Sequence, residues 1–128
     1  MKHLLTAALL AATFNASAAS EVQCMADVIH AESRGEGEAG MAAVGYALFN
    51  RVKQDGFKHG VCWHSRHGFH RLHADFDEKA YAVAALVLAG VETNPIGNRT
   101  HFDSGKRTPH YAVAVRRIGH QRFYRVAK

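Results

Sequence analysis

The sequence predicts a small α+β domain, with three main helices followed by a small C-terminal β element. Apolar residues recur at three-and-four spacing through residues 22–52 and again through 75–90. After Pro95 the pattern changes to short β-branched and aromatic runs separated by turn residues. No linker, repeat or low-complexity stretch divides the chain, so one domain is the economical expectation.

Residues 1–18 have the three zones of a secretory leader: basic Met1-Lys2-His3, an apolar run from Leu4 to Phe14, and the small residues Ala16-Ser17-Ala18, with cleavage expected after Ala18. That run is much shorter than the roughly 20 apolar residues of a membrane span. The mature domain, 19–128, is therefore expected to be secreted or periplasmic, with no stable membrane insertion after cleavage. An uncleaved anchor is the alternative.

The first helix is expected from Val22 to about Ala31, with Val22, Met25, Ala26 and Ile29 on one face. Ser33 to Gly37 breaks it. A second helix runs from about Glu38 to Val52, burying Met41, Val44, Ala47, Leu48 and Val52, with Glu38 at its positive end and Arg51 and Lys53 at its negative end. It should stop near Asp55-Gly56. Between Phe57 and Ala74 the periodicity disappears, and Trp63 and five histidines occupy the segment: His59, His64, His67, His70 and His73. Asp75 with Glu78 reads as a capping box opening a third helix through Tyr81, Val83, Ala84, Val87 and Leu88 to Gly90. Its alanines make it the expected core helix. The runs Thr100-His101-Phe102, Tyr111 to Val115 and Phe123 to Val126 read as strands, with Phe102 and Phe123 in the core.

Cys24 and Cys62 form an even pair, which in an exported chain suggests one disulfide tying the first helix to the loop after the second; two free buried thiols are the alternative. The net charge of +5 and pI of about 9.5 favour anionic partners. Export argues against nucleic acid and brings the anionic bacterial wall polymer forward.

Chemistry concentrates in the stretch His30 to Gly40. Glu32 ends the first helix with apolar residues before it, a position where a fold can hold a carboxylate half-buried at a cleft. Burial disfavours its charged form and makes it a proton donor near neutral pH. The competing account is that Glu32, Glu36 and Glu38 are solvated acids around a helix start. Glu36 shares a face with Glu32 only if the helix continues, and Gly35 and Gly37 argue against that, so Glu36 is expected to fix the turn or touch substrate. Asn50 is a candidate to bind substrate amides or orient Glu32, or else a helix cap. Tyr111 and Tyr124 are candidates to stack on sugars, or else core. His64, His67, His70 and His73 recur every three residues beside Cys62, a pattern able to chelate zinc on a helix. The segment lacks helical apolar periodicity, and no metal or cofactor is assigned.

Ile29-His30-Ala31-Glu32-Ser33-Arg34-Gly35-Glu36, Gly40 to Val44 and Phe49-Asn50-Arg51-Val52 resemble the SleB/CwlJ-type cell wall hydrolases, which include spore cortex-lytic enzymes. So do His101-Phe102, Pro109-His110-Tyr111-Ala112, Ile118-Gly119-His120 and Phe123-Tyr124-Arg125. The resemblance covers nearly all of the mature chain. It implies a lysozyme-like fold similar to goose-type lysozymes and resuscitation-promoting factors. It also implies action on peptidoglycan glycan strands, with Glu32 as the catalytic acid of a lytic transglycosylase; the chain is expected to be a monomer. A zinc-dependent amidase is the alternative within enzymes, and a non-catalytic cationic wall-binding protein the alternative outside them. Ser33 stands where the family usually has Ala, Gly68-Phe69-His70 where it tends to have Gln-Phe-Ser, and Tyr111 where a Trp often follows the proline. The last two bear on substrate preference.

Overall fold

The computed structural model describes residues 19–70, 76–105, 107 and 109–127. The predicted leader, 1–18, the expected cap Asp75 and His73 lie outside the described residues. Helix α1 covers residues 19–32, followed by α2 (Glu38–Gln54), α3 (Val61–Arg66) and α4 (Glu78–Leu88). Strands β1 (His101–Asp103), β2 (Ala112–Ile118) and β3 (Gln121–Val126) form one antiparallel sheet in the order β1-β3-β2. No helix among the described residues is long and apolar enough to cross a membrane.

The core helix is α2, a correction to the expectation that the third predicted helix would fill that place. Gly40 through Leu48 are buried without interruption, so α2 is surrounded by protein on every side. On α4 only one stripe is buried, Ala80, Val83, Ala84 and Val87, while Ala82 stays exposed. Gly45 explains how the helices come so close. A Cβ there would lie 3.3 Å from Met25 Sδ, 3.4 Å from Ile29 Cδ1 and 3.3 Å from Val87 Cγ2, so α1 and α4 both press on α2 where it has no side chain.

Two further expectations change. The histidine segment contains a short helix, α3, which its six residues were too few to announce by periodicity. The helix after it opens two residues later than predicted. Asp77 is its N-cap, accepting the Ala80 N–H at 3.0 Å, and its other oxygen lies 2.7 Å from His30 Nδ1. The same carboxylate thus caps α4 and holds it to α1.

Cys24 and Cys62 are disulfide-bonded, joining α1 to α3 across 38 residues of sequence. Closing such a loop contributes about 4 kcal/mol in the chain-entropy model.

The turn between α1 and α2 is fastened to the β2–β3 hairpin. Glu36 accepts the His120 N–H at 3.1 Å, its side chain is 9% exposed, and Gly119 beside it has φ +58°. A Cβ on Gly119 would sit 2.0 Å from Glu36 Oε2, so the carboxylate occupies the space a side chain would need. Gly119→Ala therefore meets both a left-handed backbone and a collision, and should lose about 1–3 kcal/mol of stability in urea denaturation.

Asp77 supplies a pH-dependent term. The Ala80 N–H foremost, and then His30, hold its carboxyl below its ordinary value of 3.8. A carboxyl depressed by folding stabilises above that value, and the contribution disappears as pH falls through the folded pKa. Asp77→Ala should cost about 1 kcal/mol at pH 7, the usual cost of losing an N-cap. The difference from the parent chain should narrow when the same unfolding curves are recorded in acid.

Candidate active site

Glu32 is the last residue of α1, and its position is set from two directions. Its main-chain carbonyl accepts a 2.5 Å hydrogen bond from Gln121 Nε2 on β3. Its carboxylate Oε1 accepts the His70 N–H at 3.0 Å and lies 3.0 Å from His70 Nδ1. Ser33, next in sequence, turns its hydroxyl back to the Ile29 carbonyl at 2.5 Å and closes the helix end. The Glu32 side chain is 19% exposed, the half-buried condition expected of it.

The carboxylate faces a cleft of about 190 Å³ lined by Glu32, Arg51, Gly68, Phe69, His70 and Phe102. Arg51 comes from the last turn of α2. Its Nε donates to the Thr100 carbonyl at 2.8 Å, and its guanidinium lies 4.3 Å from the centre of the Phe69 ring. A Cβ at Gly68 would lie 2.2 Å from Arg51 Nη1, so the glycine makes room for the guanidinium. Phe69 and Phe102 pack at 5.8 Å, and Phe102 packs on the fully buried Phe123 at 5.4 Å, which carries the floor of the cleft into the core. Burial lowers the pKa of Arg51, Tyr124 partly offsets this, and the group remains a cation at neutral pH.

Among the described residues, Glu32 is the one carboxylate lining this cleft. Glu36 is turned away onto His120. Asn50 is also engaged: its Nδ2 donates to the Gly97 and Arg99 carbonyls, both at 2.8 Å, which fixes the loop ahead of β1. Its Oδ1 is buried without a hydrogen-bond partner. Asn50 borders a larger groove of about 800 Å³ that includes Lys53, His101 and Arg125 and, among the described residues, has no carboxylate side chain in its lining.

Tyr111 and Tyr124 are neighbours, with ring centres 6.4 Å apart, but their exposures are 44% and 5%. Tyr124 pairs with His101 across β1 and β3, on the sheet face opposite Phe123. Burial foremost, with Asp103 and Tyr111, raises its pKa, so the phenol keeps its proton. Burial and Arg51 push His101 down, keeping that imidazole neutral at pH 7.

Among the described residues, the histidines of this segment do not gather into one stripe. His64 turns to Asp55, His67 stacks on Trp63 at 4.0 Å, and His70 meets Glu32. Sequence reasoning gave Gly68-Phe69-His70 a bearing on substrate preference but no site role to Arg51 or Gln121. The signal for Arg51 was its place in Asn50-Arg51-Val52. Gln121 follows directly on Gly119-His120, whose place in the hairpin turn locates it.

Comparison with solved structures finds the fold in the catalytic domain of the germination-specific lytic transglycosylase SleB from Bacillus anthracis. The TM-score is 0.69 at 23% identity, over 82% of this chain and 93% of that one. The four helices and small antiparallel sheet are thus a lysozyme-like α+β fold. A comparison with curated proteins returned no match. The family model described as Cell Wall Hydrolase matches residues 35–124, a span that starts just after Glu32 and includes Arg51, His70 and Gln121. The chain belongs to the cell wall hydrolase family, of the SleB/CwlJ type.

Proposed function

We propose that this chain is an exported lytic transglycosylase that cleaves the MurNAc–GlcNAc bond of peptidoglycan to give 1,6-anhydro-muramyl ends. The observation that carries the proposal is that, among the described residues, Glu32 is the single carboxylate in the cleft. A hydrolase that uses water usually needs a second carboxylate as nucleophile or base. Glu36, the nearest candidate in sequence, is committed to His120.

Glu32 as a carboxylic acid gives its proton to the glycosidic oxygen as the C1–O bond breaks. The resulting carboxylate then takes the proton of the muramyl C6 hydroxyl as that oxygen bonds to C1. The acid is regenerated and no water is consumed. Because Oε1 is held by His70, Oε2 is the oxygen that meets the substrate. Arg51 and the Phe69 ring line the cleft with Glu32, while Tyr111, the more exposed tyrosine, lies outside that lining and would meet a sugar further along the glycan strand. Tyr124 backs it, while Glu36 and Asn50 act as positioning residues that hold the turn and the β1 loop. The basic surface draws the anionic wall polymer to the cleft.

Mass spectrometry of muropeptides released from purified peptidoglycan tests this. Anhydro-muramyl products are expected, and Glu32→Gln should slow their release by about 10²–10⁴-fold, the range for a positioned general acid. Reducing-end products would instead indicate a water-using muramidase, free stem peptides an amidase, and wall binding without products a binding protein.

A further inference from the structure

The second cluster of titratable side chains lies at the other end of α3, and it shares no residue with the Glu32 cleft. Asp55 is the C-cap of α2, and its Oδ2 lies 2.7 Å from His64 Nε2 and 3.1 Å from His59 Nδ1. All three atoms fall within 4.8 Å of one another. The other oxygen, Asp55 Oδ1, is buried and has no hydrogen-bond partner. A carboxylate with one oxygen shared by two imidazoles and the other left unsatisfied is an expensive arrangement for a helix cap, which needs no side-chain acceptor.

We propose that Asp55, His59 and His64 form a binding site for a zinc-class divalent transition-metal ion. Two imidazoles and a carboxylate are the ligand set of many such sites, with a fourth position left to water. Tetrahedral bonds of about 2.0–2.2 Å place neighbouring ligand atoms about 3.4 Å apart, so admitting an ion opens the present contacts by less than about 1 Å. The ring protons leave Nε2 of His64 and Nδ1 of His59, and each neutral imidazole then offers a lone pair. The unpartnered Oδ1 can bond the metal-bound water. Two ligands are already anchored. Asp55 ends the buried helix α2, and His64 belongs to α3, which the Cys24–Cys62 disulfide fastens to α1. The third, His59, is the more exposed and stacks at 3.9 Å on Trp63, leaving the side from which an ion enters.

The sequence pattern that suggested zinc, every third residue from His64 to His73, is not the set that assembles here. The ion would be structural, joining the end of α2 to α3, and the inference does not depend on the reaction proposed for Glu32.

Trp63 is the single tryptophan of the chain and lies against the cluster, so its emission reports occupancy. Calorimetric titration of the exported chain with Zn²⁺, and quenching of Trp63 by Co²⁺, should both give one ion per chain. His64→Ala and Asp55→Asn should each weaken binding by more than about a hundredfold, beyond the usual effect of removing an outer-shell partner. His59→Gln, altered at the exposed ligand and expected to fold, should do the same, whereas His110→Ala should bind like the parent. No saturable binding would overturn the proposal. So would binding that survives these three substitutions or that is lost equally in His110→Ala, the behaviour of histidines capturing metal at the surface.

Discussion

The clamp between the α1–α2 turn and the β2–β3 hairpin is the constraint on which the cleft depends. Gln121 holds the carbonyl of Glu32, and His120 with Gly119 holds the carboxylate of Glu36. Neither end of this clamp is local: the partners are separated by more than 80 residues of chain. The turn contains Gly35 at φ +76°, where an added Cβ would meet nothing within 4 Å. Without the hairpin, the end of α1 would be free to fray, as helix ends do. A charged group buried without its partner is costly, so the Glu36 bond ties the hairpin position strongly to the turn.

The same logic governs the far wall of the cleft. α2 is buried along Gly40 to Leu48 and carries Asn50 and Arg51, in its last turns, to the loop ahead of β1. Asn50 uses both amide hydrogens on loop carbonyls, and Arg51 spans from the Thr100 carbonyl to the Phe69 ring. A cation over an aromatic face in a partly buried setting is stabilising by about 1–2 kcal/mol. The two residues thereby convert the rigidity of the core helix into a fixed geometry at the surface, where chemistry needs preorganised groups.

Much of the fold was legible because it rests on short-range signals. The apolar spacing of α1 and α2, the glycine-broken turn and the three terminal strands all lie close to where periodicity and turn residues put them. The departures have physical causes. α3 has six residues, less than two turns, too few for a period to register. Asp75 and Asp77 both precede an alanine-rich run, and the cap Asp77 also meets His30, which lies 47 residues away and which no local pattern announces. The alanines of α4 marked close packing correctly, but the helix surrounded on every side is α2, because Gly45 lets two neighbours approach at once.

By itself the sequence determined the helical and extended segments, the cysteine pair, the basic charge, and Glu32 as the acid to examine. These follow from residue type and spacing, which act within a few residues of chain. The tertiary structure decided which carboxylate faces the cleft, that Glu36 is tied to the hairpin, that Arg51 and His70 stand beside Glu32, and that His59 and His64 meet Asp55. Such choices depend on hydrogen bonds and packing between segments distant in sequence, and those become defined when the core closes around α2.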